Sequence, residues 1–62
     1  MTTNEQALVA LMENEGYSHG LVVTALRILS QSREAVTEAM LFIDGEHPSE
    51  EAFMEFLAEM CE

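Results

Sequence analysis

The chain predicts an all-α domain, and two observations carry that expectation. Apolar residues recur at three- and four-residue spacing through four successive segments, and polar or glycine residues that start and stop helices bracket each segment. No alternating apolar and polar run reads as a strand. A third observation sets the scale: 62 residues make one small domain, residues 1–62, and exclude a large enzyme fold. A chain of this size buries only about 60% of the surface it exposes when unfolded, so stability must come from a well-formed core or from a partner.

The elements follow in order. Thr3 and Gln6 have capping-box spacing, and Leu8, Leu11 and Met12 then repeat with helical period, predicting a helix over 4–14. Gly16 can take a positive φ and end it, and Tyr17 is a large ring placed to fold back on the helices. Ser18 caps a second helix over 19–29, where Val22, Ala25, Leu26 and Leu29 form an apolar stripe widened by Leu21 and Ile28. This is the most apolar segment, so it is expected at the centre. Ser32 caps a third helix over 33–43, carrying Val36, Ala39, Met40 and Ile43 on one face, with Asp44-Gly45 as its stop. In the last segment, 49–60, Pro48 is expected at the first helical position and Glu50 at the third. Phe53, Phe56, Leu57 and Met60 repeat there as one amphipathic stripe.

Charge narrows the function classes. Twelve acidic residues against two arginines give a net charge of -10. Residues 1–43 carry five carboxylates and both arginines, net -3, whereas residues 44–62 carry seven carboxylates and no base, net -7. Such a chain repels phosphate, which argues against direct binding of DNA or RNA and against anionic membranes. What remains is solubility, a surface for a basic protein partner, or an acidic mimic of nucleic acid that blocks a basic DNA- or RNA-binding protein. No basic leader precedes an apolar run, and no apolar run approaches the roughly 20 residues that span a bilayer, so a cytoplasmic chain is expected. Cys61, the single cysteine, fits a reducing compartment.

Glu15-Gly16-Tyr17 after helix one, Ala25-Leu26-Arg27 late in helix two, Ser32-Arg33-Glu34 opening helix three and Met40-Leu41 near its end lie in a recognisable order. Over residues 8–41 the chain resembles the ubiquitin-associated, or UBA-like, three-helix domain. The resemblance implies a compact UBA-like core with an additional C-terminal fourth helix, and binding of another protein through the first loop and the end of helix three. Carried over position by position, the contact residues are Gly16, Tyr17, Met40 and Leu41. Two departures stand out: Glu15 replaces the methionine of the family's loop, and the alanine usual in helix three is shifted to Ala35, beside Val36. The fourth helix lies outside the pattern. Its stripe of Phe53, Phe56, Leu57 and Met60 covers either the three-helix unit or a second copy, giving a structural homodimer as a further alternative.

Reaction chemistry finds little footing. Glu34 and Glu38, and Glu51, Glu55 and Glu59, stand four apart on helix faces, but neither His19 nor His47 has the Glu three residues earlier that carboxylate metal sites of bundles use. These read as solvated ridges, and Asp44-Gly45-Glu46 as a turn rather than a calcium loop. No phosphate-cradling glycine loop, activated serine or zinc ligand set is present, so no enzyme activity, metal or cofactor is expected. Arg27, near the negative end of helix two, is expected to pair with a C-terminal carboxylate. Like-charge repulsion along the Glu ridges costs a few tenths of a kcal/mol per pair at low salt. Melting curves at two ionic strengths should therefore show the higher melting temperature in the higher salt.

Overall fold

The computed structural model describes residues 2–61. It contains four helices: α1 (Thr3–Asn14), α2 (His19–Leu29), α3 (Arg33–Glu46) and α4 (Glu50–Met60). The all-α expectation holds, with α2 bounded as read from the sequence and packed, as its apolar content predicts, against α1, α3 and α4. The starts of α1 and α3 flank one hollow, lined by Thr2 to Glu5 on one side and Ser32, Arg33 and Val36 on the other. Their ends meet where His47 touches Glu15. These two helices thus lie side by side in the same direction. The same holds for α2 and α4, which start together at Ser18 and Glu50 and end together at Ile28, Ala58 and Cys61. The result is a compact four-helix domain measuring 25 × 23 × 22 Å.

Each helix donates its predicted stripe to one core. Leu8 and Met12 of α1, Leu21, Val22, Ala25 and Leu29 of α2, Val36, Ala39 and Ile43 of α3, and Phe53 and Leu57 of α4 are buried together. Leu11, Leu26, Met40, Phe56 and Met60 pack half-buried at its margin. All four aromatic rings of the chain join one stack over α4: Phe53 lies 5.3 Å from Tyr17 and 5.7 Å from Phe56, and Phe42 lies 4.9 Å from Phe56, centroid to centroid. Offset contacts of this kind add about 0.5–1.5 kcal/mol each beyond area burial.

Four boundary expectations need correction. Helix α1 is capped one residue earlier than Thr3 and Gln6 suggest: Thr2 Oγ1 accepts from the Glu5 N–H at 3.1 Å, and the Thr2 N–H donates to Glu5 Oε1 at 2.8 Å. A charged acceptor near the positive helix end outcompetes the neutral amide of Gln6. Helix α3 does not stop at Asp44-Gly45 but runs through Glu46. It ends at His47, which takes a left-handed conformation (φ 48°), because the proline that follows disfavours continued right-handed helix there. One helical glycine costs only about 1 kcal/mol, too little to end the helix early. Pro48 lies outside α4 rather than at its first position. Ser49 is the cap, accepting from the Ala52 N–H at 3.2 Å, so Glu50 comes first in the helix rather than third.

The first loop follows the sequence closely. Gly16 has φ 84°, its N–H donates to the Glu13 carbonyl at 3.0 Å, and the Tyr17 N–H donates to the Met12 carbonyl at 3.1 Å. This pair of bonds is a Schellman ending, and its usual apolar contact is supplied by Tyr17 and Met12, both buried. A side chain at residue 16 would meet open space but would sit in the left-handed region. Gly16→Ala is therefore expected to lower stability by about 1–2 kcal/mol, read as a fall in the urea midpoint at unchanged slope.

Candidate functional site

Two loops meet at one end of the molecule and form three links. Glu15 Oε2 accepts from His47 Nδ1–H at 2.9 Å, Tyr17 Oη–H donates to the buried Pro48 carbonyl, and Glu50 Oε2 accepts from the Ser18 N–H at 2.7 Å. The third link completes a cap across the fold. Ser18 accepts from the Leu21 N–H, but Leu21 cannot return the bond that an acid at that position would make. Glu50, from α4, makes it instead.

The His47 link titrates. Its imidazole pKa is raised above the ordinary value of about 6.5, first by the hydrogen bond to Glu15, then by the Glu15 charge, with Asp44 adding to it and hydration loss opposing. A raised folded-state pKa means the stabilisation is complete below the unfolded value and is lost as pH rises through the folded one. Urea midpoints should thus fall as pH rises above about 6.5, and fall less for Glu15→Gln than for the native chain.

The four residues that the family resemblance groups together differ widely in exposure. Gly16 is exposed in the first loop and Leu41 stands open at 67% exposure, while Met40 is half-buried against the core. Tyr17 is only 7% exposed, beneath Phe53 and Pro48. It is a core residue in this conformation and contributes almost nothing to a surface. Of the four positions on the α4 stripe, Phe53 and Leu57 are buried within the same chain and Phe56 and Met60 pack half-buried. Arg27 forms no ion pair with any described residue; it borders a hollow with Glu5, Leu26 and Ser30. The expected bond to a C-terminal carboxylate fails among the described residues because α2 ends beside the start of α1 and the apolar end of α4.

The open apolar surface lies elsewhere, in a groove of about 450 Å³ between α2 and α4. Gly20, Leu21, Thr24 and Ile28 form one wall, and Met54, Leu57, Ala58 and Cys61 the other, with Ser18 and Glu50 at the mouth. Met54, 55% exposed, is the large apolar side chain at its lip. Of the groove residues, Leu21 and Ile28 are read from the sequence as a widening of the α2 stripe. The missed signal was Gly20 and Thr24, small residues one turn apart that leave the α2 flank shallow ahead of Ile28.

Among the described residues no group of three or more His, Cys, Asp or Glu side chains is gathered as a metal site would be. No helix among them is long and apolar enough to cross a membrane. Comparison of the chain with protein-family models, curated proteins and solved structures finds no match.

Proposed function

We propose that this chain is a non-enzymatic, acidic protein-interaction module. In this reading α1 to α3 form a UBA-like core, α4 is an added fourth helix, and the α2–α4 groove docks an apolar segment of another protein. The observation that carries it is the groove itself. The core is already complete, yet an apolar trough with an exposed methionine at its lip remains open beside it. Burying such a trough against an apolar segment gives affinity, and surrounding carboxylates choose the partner by charge. The Schellman loop at Gly16 and Tyr17 supports the UBA-like assignment of the first turn. With Tyr17 enclosed, docking moves away from the first loop, and only Leu41 of the four family positions keeps a large open apolar side chain. The same reading keeps the chain in the cytoplasm, where Cys61 stays a thiol.

The test is retention of native-extract proteins on the immobilised domain, each identified by mass. The native domain is compared with a Thr24→Glu, Met54→Glu variant, both changes falling at exposed helix positions. A protein held by the native chain and released by the variant supports the reading, provided retention survives high salt, where the screening length shrinks from about 10 Å to about 3 Å. Retention of nucleic-acid-binding proteins that disappears with salt would instead establish the acidic mimic.

A further inference from the structure

We infer that the α2–α4 groove receives a single amphipathic helix from its partner, apolar toward the groove and bearing Lys or Arg along the flank that lies over α4. This rests on the interaction-module reading and adds the chemistry of the occupant. Three observations combine. First, both walls are helices of 11 residues running the same way, so the trough between them is at most about 16 Å long, the length of three helical turns. Gly20, Thr24 and Ala58 keep its walls low, which suits a cylinder laid lengthwise between two others.

Second, the charge at its edge has one sign. Glu50 stands at the mouth, and Ala58 of the groove wall shares a row with Glu51 and Glu55, seven and three residues earlier, so that this exposed row borders the trough along α4. Across from it the α2 wall of Gly20, Thr24 and Ile28 is uncharged, and the exposed row beside that wall carries a cation, Arg27, seven residues after Gly20 and three after Thr24. An incoming helix therefore meets carboxylates on the α4 flank and no carboxylate on the α2 flank. That is a demand for one basic edge rather than for a uniformly basic segment.

Third, the charge disfavours a second copy as occupant. Two chains of net charge -10 meeting groove to groove would bring two Glu50, Glu51 and Glu55 rows together without a base between them. The α4 stripe that could drive exchange between copies is already buried at Phe53 and Leu57 in one chain.

The test uses stapled synthetic helices of about three turns, with leucines along one face and either Lys or Glu along one flank, titrated into the isotope-labelled chain. The Lys-flanked helix is expected to shift the amides of Gly20, Thr24, Ile28, Met54 and Ala58. It should bind about tenfold or more tightly than the Glu-flanked one, and lose that binding with Thr24→Glu, Met54→Glu. Equal binding of the two helices, shifts confined to the Leu41 face, or no binding at all would overturn the inference, as would a solution mass near twice 6.9 kDa that persists in dilute protein. A protein from the extract that still depends on Thr24 and Met54 would, in each of those cases, leave the module reading standing. The two failures are thereby told apart.

Discussion

Phe53→Ala is expected to lower stability by about 3–5 kcal/mol, the usual loss for emptying a buried phenylalanine site. A chain of 62 residues has only about 3–9 kcal/mol in total, so this one change takes the domain to the edge of unfolding at room temperature. The physical reason is position. Phe53 is fully buried, its ring lies within 6.4 Å of Tyr17, Phe42 and Phe56, and it is the point at which α4 enters the shared core. Without it, Leu57 is the one buried α4 side chain left, and the buried faces of Tyr17 and α2 open to water. Urea unfolding followed by far-UV circular dichroism measures the loss. Phe53→Leu, which keeps most of the volume, should retain a clear folded baseline. A fall of under about 1 kcal/mol for Phe53→Ala would mean that α4 does not pack as described.

The second large effect is at Tyr17, where two substitutions separate ring from hydroxyl. Tyr17→Ala removes a ring that is 7% exposed and should cost about 3–5 kcal/mol, as at Phe53. Tyr17→Phe keeps the ring and leaves the buried Pro48 carbonyl without its donor, a loss of about 1–3 kcal/mol. The alkaline limb distinguishes them further. Burial, followed by the charges of Glu15 and Glu50, raises the phenol pKa above its usual value near 10. The contribution is thus intact below the unfolded pKa and is lost as pH rises through the higher folded one. Denaturation midpoints measured toward alkaline pH should fall more steeply for the native chain than for Tyr17→Phe. Parallel curves would show that the hydroxyl is solvated rather than bound to Pro48.

What the sequence made legible was local. The stripe through Val22, Ala25 and Leu29, the caps at Ser18 and Ser32, and the positive φ at Gly16 each depend on residues within one or two turns, and each is found in the structure. The misread features depend on partners far along the chain. Tyr17 reads correctly as a ring that folds back on the helices, but local information does not show that Pro48 and Phe53, over 30 positions away, close on it and leave little for the partner contact the family resemblance implies. The α3 end reads as Asp44-Gly45 because Gly is the usual stop, whereas the stop falls on His47, next to Pro48 and within reach of Glu15. The groove was hidden for the same reason. Gly20, Thr24 and Ile28 form an ordinary helix flank until α4 runs beside them and turns it into a wall.

The three links between the loops, Glu15 to His47, Tyr17 to Pro48 and Ser18 to Glu50, all lie at one pole and each joins residues 31 or 32 apart. At the opposite pole the backbone bonds of the turn from Ser30 to Ser32 are all local, from the Ser30 N–H to the Leu26 carbonyl, from the Ser32 N–H to the Leu29 carbonyl and from the Val36 N–H to the Ser32 carbonyl. The chain is in effect two helix pairs, α1–α2 and α3–α4, buckled together at their bends and laid face to face along α1–α3 and α2–α4, with the peptide around Gln31 as the seam. Cutting the backbone there, or moving the termini to it, leaves every one of those fastenings whole, so this is the place at which division and reassembly from halves is expected to succeed.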